Sequence, residues 1–265
     1  MAIRLHCVYL KVNGRGDTVV LVPGGLTGWL SWEPHSRMLS KNYRVVRVQL
    51  VNVELGLLGK PLPADYSVDY ETEALRLSLS KRNIESAHLV GWSYGGEIAL
   101  NYALSNPGKV RSLCLIEPAA FWVLKREASL SEETEESRRI TGSIGPGDVS
   151  ESQLEWFSHA SGLVPDGVDP RTLPQWPIWV QHRQSLRMGD APYRHEDSLE
   201  RVRGFDRPVL LFKGEGSARQ YLDVVDVLVG EFPDAEVRTL PGGHACHIVS
   251  INEFMDVLTP FLLSS

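Results

Sequence analysis

Two apolar rhythms alternate along the first part of the chain. The runs Thr18–Val22, Tyr43–Leu50, His88–Gly91 and Val110–Ile116 are nearly unbroken, as strands buried on both faces are. Between them, Trp32–Ser40 and Tyr70–Leu79 carry helical spacing, the second with acidic residues in its first turn. A further helical stretch opens at Glu97 and stops near Asn106-Pro107-Gly108. Residues 4–12 alternate loosely and predict an edge strand that ends at Asn13-Gly14-Arg15-Gly16. Strand and helix in turn predict an α/β fold, a mostly parallel central sheet with helices on both faces.

The rhythm breaks after Pro118. From Ala119 to about Leu199 the pattern is helix and loop, with no strand. Ser150-Glu151-Ser152-Gln153 forms a capping box for a helix running to about Ala160, with Gly162 as its stop. Gly142, Gly145, Pro146 and Gly147 mark a loop; Glu132, Glu133, Glu135, Glu136, Arg138 and Arg139 predict a solvated helix face. Strand and helix then resume with strand Pro208–Phe212, helix Tyr221–Val229, strand Ala235–Leu240 and helix Asn252–Leu263. The expected division is a core of residues 1–118 and 200–265 with a helical insertion at 119–199. An insertion that follows a strand of an open α/β sheet lies over the carboxyl edge of that sheet. This one is expected to act as a cap.

Composition narrows the class. A chain of 265 residues suits one large domain, and 43% hydrophobic with 23% charged residues is ordinary for a soluble protein. The net charge of −6 and the lack of a basic stripe disfavour a nucleic-acid binder. Arg4 and His6 interrupt the apolar residues that a secretory signal needs, and no apolar run approaches the roughly 18 residues of a membrane span. A cytoplasmic protein without membrane association is the expectation. Cys7, Cys114 and Cys246 are odd in number and share no metal-ligand spacing, which predicts free thiols in a reducing compartment.

The strongest chemical signal is Gly91-Trp92-Ser93-Tyr94-Gly95, set between a strand and a helix. Gly-x-Ser-x-Gly in that setting is a nucleophile elbow, a turn so tight that flanking side chains must be nearly absent. A serine hydroxyl needs a base to take its proton. His244, in Pro241-Gly242-Gly243-His244, follows the last strand and therefore emerges at the same sheet edge. His247 is expected to pack beside the site, and an i, i+3 histidine pair without a third ligand predicts no metal site. His159 and His182 lie in the cap, within reach of the pocket; His6, His35, His88 and His195 are expected to be structural or at the surface. An acid must in turn hold the base. Glu117, in Leu115-Ile116-Glu117-Pro118, ends the strand after the elbow strand, and its extra methylene suits the greater span; Glu215, the carboxylate of the loop Lys213–Ser217, stays open.

An oxyanion formed at this serine requires two N–H donors. Tyr94 follows the nucleophile, and Gly25 in Val22-Pro23-Gly24-Gly25-Leu26 offers an unobstructed amide. Neither Gly-x-Gly-x-x-Gly nor Gly-x-x-x-x-Gly-Lys-Ser/Thr occurs, so no phosphate loop is expected. Trp29, Trp32, Trp92, Trp122, Trp156, Trp176 and Trp179 all fall near the glycine loop, the elbow or the cap, which predicts a largely apolar pocket. Trp92, Leu26, Trp122, Trp179 and Trp156 are its expected substrate contacts.

With these residues in place, the chain resembles the α/β-hydrolase superfamily over nearly its whole length, from Pro23-Gly24-Gly25 through the elbow to Gly243-His244. Members commonly carry histidine where Pro23 stands and an acid near Ser217. Both departures look like the branch containing fungal zearalenone lactonases, which has a Val-Pro-x-Gly-Leu loop and takes its acid from a glutamate after the strand that follows the elbow. That resemblance implies Ser93, Glu117 and His244 as a triad with Gly25 and Tyr94 as oxyanion donors. Pro177-Ile178-Trp179 is similar to that group's Pro-Val-Trp, whose tryptophan touches the substrate. Haloalkane dehalogenases and epoxide hydrolases place an aspartate where Ser93 stands, which sets them apart. The expected activity is hydrolysis of a small hydrophobic carboxylic ester or lactone through an acyl-enzyme on Ser93, without a cofactor. Carbon–carbon bond hydrolysis on the same triad and a catalytically weak ligand receptor are the competing readings; a homodimer stays open.

Overall fold

Alternate residues of each buried strand face opposite sides of one sheet, and each side has its own apolar cluster. In the computed structural model, residues 8–126 and 147–265 are described, together with 135, 138, 139, 142 and 144. The strands are β1 (Tyr9–Asn13), β2 (Thr18–Val22), β3 (Arg44–Gln49), β4 (Ala87–Trp92), β5 (Val110–Ile116), β6 (Val209–Gly214) and β7 (Ala235–Leu240). They form a single sheet in the order β1-β3-β2-β4-β5-β6-β7, with β1 antiparallel to β3 and every other pair parallel. β1 is the largely exposed edge that its loose alternation predicted.

Val20, Val22, Leu89, Leu113, Leu115 and Leu211 point to one face. There they meet α3 (Val68–Lys81), α4 (Tyr94–Ser105) and, further along the chain, a helix at Arg219–Glu231. Val19, Leu21, Val90, Cys114, Leu210 and Phe212 point to the other, against α1 (Glu33–Leu39) and the closing helix Ile251–Ser264. Two covered faces explain why these strands read as unbroken apolar runs. Each fully buried Leu, Ile or Phe contributes about 1.5–3 kcal/mol of transfer free energy.

One helix of the core is not announced by the pattern. α2 (Val51–Leu57) follows β3 directly, and its Val51, Val53 and Leu55 alternate as a strand would. Its free N-terminal amides decide otherwise. Val51 N–H and Asn52 N–H donate at 3.0 and 2.9 Å to the buried carboxylate of Glu71, which projects from α3. A carboxylate at a helix N-terminus satisfies the orphan donors and complements the helix dipole.

The segment after β5 forms the helical cap. A 3₁₀ turn at Phe121–Arg126 is followed by α5 (Glu151–Ala160), α6 (Trp176–His182), a 3₁₀ turn at Arg183–Met188, α7 (Ala191–Arg194) and α8 (Leu199–Arg203). α9 (Arg219–Glu231), α10 (Cys246–Val249) and α11 (Ile251–Ser264) complete the chain. Among the described residues, no strand occurs between 119 and 199. The capping box forms as expected, with Ser150 and Gln153 each bonding the other's backbone, and Gly162 ends the segment at φ 70°. Leu26 reaches out of the glycine loop into a small third cluster with Val149, Leu154, Trp176 and Leu186, which ties the cap to the core. Glu132, Glu133, Glu136, Gly145 and Pro146, like Arg4, His6 and Cys7, lie outside the described residues; Glu135 and Arg139 are exposed. No helix among the described residues is long and apolar enough to cross a membrane.

Candidate active site

The elbow between β4 and α4 holds Ser93 at φ 55° and ψ −125°, a strained conformation for a residue with a side chain. Surrounding hydrogen bonds hold it there. Ser93 N–H donates to the Ile116 carbonyl at 2.9 Å, and the Ser93 carbonyl accepts from the amides of Gly96 and Ala119 at 2.9 and 3.0 Å. A Cβ on Gly95 would fall 2.1 Å from the Pro23 carbonyl oxygen, so the turn closes only with glycine there. The same approach seats the glycine loop against the start of α4.

His244 accepts from the Ser93 hydroxyl at Nε2 (2.8 Å) and donates from Nδ1 to Glu117 Oε2 (2.7 Å). Glu117 is fully buried at φ 41°, directly after β5. Its Oε1 accepts from Gly214 N–H at 2.7 Å, and its Oε2 also accepts from the Ser217 hydroxyl. Gly214 is the last residue of β6, and Ser217 lies in the loop that follows it, the loop that contains Glu215. Glu215 itself is exposed, and its amide bonds the Leu240 carbonyl. Of the two carboxylates left open by sequence, Glu117 is the one that reaches the histidine. The His244 backbone is fixed from two sides: its N–H donates to the Gly162 carbonyl of the cap at 3.0 Å, and its carbonyl accepts from Trp92 Nε1 at 2.8 Å.

His247 lies behind this pair, fully buried among Trp32, Trp92 and Phe254, with neither ring nitrogen hydrogen-bonded. Burial, reinforced by the neighbouring imidazoles of His35 and His244, holds it well below the usual histidine range. It packs beside the site, as the sequence suggested.

Gly25 and Tyr94 both line the small cavity over Ser93. Their setting is built by residues that sequence reasoning missed. Asn52 Nδ2 donates to the Gly25 carbonyl at 2.8 Å and to the Ser185 carbonyl at 3.0 Å, joining the glycine loop to the cap. The Tyr94 hydroxyl pairs with that of Tyr66 at 3.1 Å, and Tyr66 donates to Glu71 at 2.8 Å. Burial pushes the Glu71 carboxyl up to about 7. Nothing in a single sequence marks Asn52 or Glu71, because each acts through a backbone group brought near only by the fold.

Of the expected substrate contacts, Trp156 lines the cavity, next to Phe157. Trp92 sits one layer below, its indole N–H on the His244 carbonyl. Leu26 and Trp179 pack in the cap cluster, and Trp122 in the main core. His159 and His182 are not part of the cavity wall. Aromatics without a sequence signal replace them: Phe121 stacks on Tyr193 with centroids 4.3 Å apart, and Tyr221 stacks on His244. The enclosed space is small, about 30 Å³, and its wall at Met188 and Gly189 is shared with a second cavity of about 380 Å³ beside the Pro61–Ala64 loop.

The chain belongs to the Alpha/beta hydrolase family, which it matches over residues 19–256. It is 33% identical over 113 residues to the 2-hydroxymuconate semialdehyde hydrolase of Pseudomonas sp. (strain CF600), a match covering 42% of this chain and 39% of that protein. The aligned part thus spans about two fifths of that relative's length. Carboxylesterase YbfK of Bacillus subtilis (strain 168) is 26% identical over 227 residues, which cover 81% of this chain and 70% of that one. Among solved structures, the esterase EaEST from Exiguobacterium antarcticum superposes with a TM-score of 0.78 at 18% identity, covering 96% of this chain and 95% of its own. At that identity the superposition bears on the fold.

Proposed function

We propose that this hydrolase cleaves a carboxylic ester or lactone through an acyl-enzyme on Ser93. The observation that carries the reading is His244, which joins Ser93 at 2.8 Å and Glu117 at 2.7 Å through its two ring nitrogens. His244 Nε2 takes the proton as Ser93 Oγ attacks the carbonyl carbon, and Glu117 holds the opposite N–H and stabilises the imidazolium. The Gly25 and Tyr94 amides receive the oxyanion. His244 then protonates the departing alkoxide; in a lactone that alcohol stays tethered to the acyl group. A water, deprotonated by the same histidine, releases the acid.

The aromatic wall of Phe121, Trp156 and Tyr193 suits an apolar or ring-bearing acyl group. A carboxylesterase among the relatives supports the ester reading. Glu117 as acid and the Val22–Leu26 loop keep the lactonase-like branch in view. The hydrolase of a semialdehyde among the relatives favours carbon–carbon cleavage as the second reading. Turnover of p-nitrophenyl acetate, butyrate and octanoate and of a macrocyclic lactone, by wild type and Ser93→Ala, tests the proposal. Ester turnover abolished in the variant supports it; a folded wild type inactive on all of them, yet cleaving a diketone, favours the second reading.

A further inference from the structure

Glu71 projects from α3 into the interior, where it, Asn52, Tyr66 and Tyr94 are all buried. Its carboxylate accepts from the Val51 and Asn52 amides at 3.0 and 2.9 Å and from the Tyr66 hydroxyl at 2.8 Å. Two of these donors lead on to the glycine loop and the elbow. Asn52, whose amide Glu71 holds, donates from Nδ2 to the Gly25 carbonyl at 2.8 Å. Tyr66, whose hydroxyl Glu71 holds, meets the Tyr94 hydroxyl at 3.1 Å. Gly25 and Tyr94 are themselves neighbours: a Cβ on Gly25 would fall 3.5 Å from Tyr94 Cβ. Two arms thus leave one carboxylate and end at adjacent residues of the cavity over Ser93.

We propose that Glu71 is a positioning residue for the oxyanion site: it fixes Gly25 through Asn52 and Tyr94 through Tyr66, so that both amides converge on one oxygen. The proposal rests on the acyl-enzyme reading, in which that oxygen becomes negative. The direction of the chain follows from the protons. A carboxylate only accepts, and a phenol has one proton to give. Tyr66 gives its proton to Glu71, so its oxygen accepts from Tyr94 and holds that ring at its far end. Tyr94 opens α4 directly after the nucleophile, so a tethered ring restrains the turn that carries the donor amide.

On the other arm, Leu50 stands at the N-cap of α2 and provides no side-chain cap. Glu71 takes over that task and sets where Asn52 stands. Holding α2 alone would need only the two amides. The bond to Tyr66 adds nothing to that helix and reaches toward the elbow. Preorganised donors lower a barrier because they need not reorient as charge develops. A misplacement of about 1 Å can cost about 10²-fold in rate. Loosening either arm is therefore expected to slow turnover without weakening the binding of an uncharged ester.

The test compares wild type, Ser93→Ala, Tyr66→Phe, Glu71→Gln and Glu71→Leu at about pH 8.5, where a carboxyl raised to about 7 is ionised. The readouts are kcat and KM for the p-nitrophenyl ester that wild type turns over fastest, and Ki for n-butylboronic acid. Boron bonds Ser93 Oγ as the serine proton passes to His244, and the tetrahedral anion that results calls on both amide donors. Acylation and deacylation each pass through such an oxyanion, so kcat reports on the site whichever step limits. Urea unfolding shows that each variant is folded under assay conditions. Tyr66→Phe cuts the Tyr94 arm alone; Glu71→Gln keeps one acceptor oxygen and Glu71→Leu keeps none. The expected fall in kcat is roughly 5- to 20-fold for Tyr66→Phe and Glu71→Gln and roughly 100-fold for Glu71→Leu. Ki is expected to rise by similar factors while KM stays within about twofold. A merely structural role would lower the unfolding midpoint and leave kcat and Ki of the folded protein unchanged. That result in Tyr66→Phe and Glu71→Gln overturns the proposal, even where Glu71→Leu does not fold, and so does a rise in KM with kcat unchanged. No ester turnover by wild type, or turnover that survives Ser93→Ala, overturns the acyl-enzyme reading and this proposal with it.

Discussion

Glu117 Oε2 stands 2.7 Å from His244 Nδ1 although their parent strands, β5 and β7, are separated by β6. The carboxylate crosses the end of the intervening strand, where Gly214 N–H holds its other oxygen. A side chain on Gly214 would meet the Gly243 and Gly242 carbonyl oxygens at 2.4 and 2.6 Å, so the histidine loop packs directly on that strand end. The reach needs glutamate's full length.

Glu117→Gln is therefore predicted to lower kcat on the order of 10³–10⁴-fold, as loss of the acid does in related triads, with KM little changed. Glu117→Asp, one methylene shorter, falls nearly as far. Glu215→Gln stays near wild type. Steady-state kinetics of the three variants decides the matter. A large loss in Glu215→Gln with Glu117→Gln near wild type contradicts the assignment.

Asn52 tests how the glycine loop is held. Asn52→Ala breaks the bonds to the Gly25 and Ser185 carbonyls. It is predicted to lower stability by about 1–3 kcal/mol and to lower kcat along with it. Urea unfolding measures the first and ester turnover the second. A stability loss with kcat intact would show that the loop keeps its shape without Asn52.

The fold is legible in the sequence where both faces of a strand are covered. β2, β4, β5 and β6 announce themselves as apolar runs because neither side meets water, and the elbow and Glu117 follow from where β4 and β5 end. α2 is not legible: Val51, Val53 and Leu55 alternate, and the carboxylate that makes them helical is supplied by Glu71, in another helix. The site divides the same way. Ser93, His244 and Glu117 stand at strand ends, which a sequence marks. Trp122 and Trp179, expected at the pocket, pack in core clusters, because aromatic content shows burial without saying against which surface. Tyr221 is hidden for the complementary reason. It lies on the buried face of an amphipathic helix, and its stacking on His244 depends on where the fold brings the loop after β7.

Stability is predicted to depend on pH through two oppositely shifted groups. Burial lowers His35 to about 4, against an ordinary value of 6.5. Between those values the unfolded chain binds the proton and the folded one does not, so this group removes stability as pH falls from 6.5 toward 4, by at most about 3 kcal/mol. Glu71, raised to about 7 from 4.5, is protonated in the folded state first and removes stability as pH rises from 4.5 to 7. Because the two slopes oppose each other over most of this range, each is read as a difference from wild type in urea unfolding. His35→Gln is expected to gain stability relative to wild type as pH falls toward 4, and Glu71→Gln to gain relative to wild type as pH rises toward 7. Curves parallel to wild type would contradict both assignments.

Met188 separates the space over Ser93 from the larger neighbouring cavity. Met188→Ala is predicted to join them and to raise the octanoate-to-acetate ratio of kcat/KM. Removing so buried a side chain also lowers stability, by about 2 kcal/mol or more. An unchanged ratio in a folded variant would place the acyl chain elsewhere.

The most direct measurement is peptide mass spectrometry of wild type and Ser93→Ala, acid-quenched during turnover of p-nitrophenyl acetate. The acyl-enzyme account predicts an acetyl group on the peptide containing Ser93 in wild type and none there in the variant. Steady turnover with that peptide unmodified, or acetyl found on another residue that turnover requires, would contradict it.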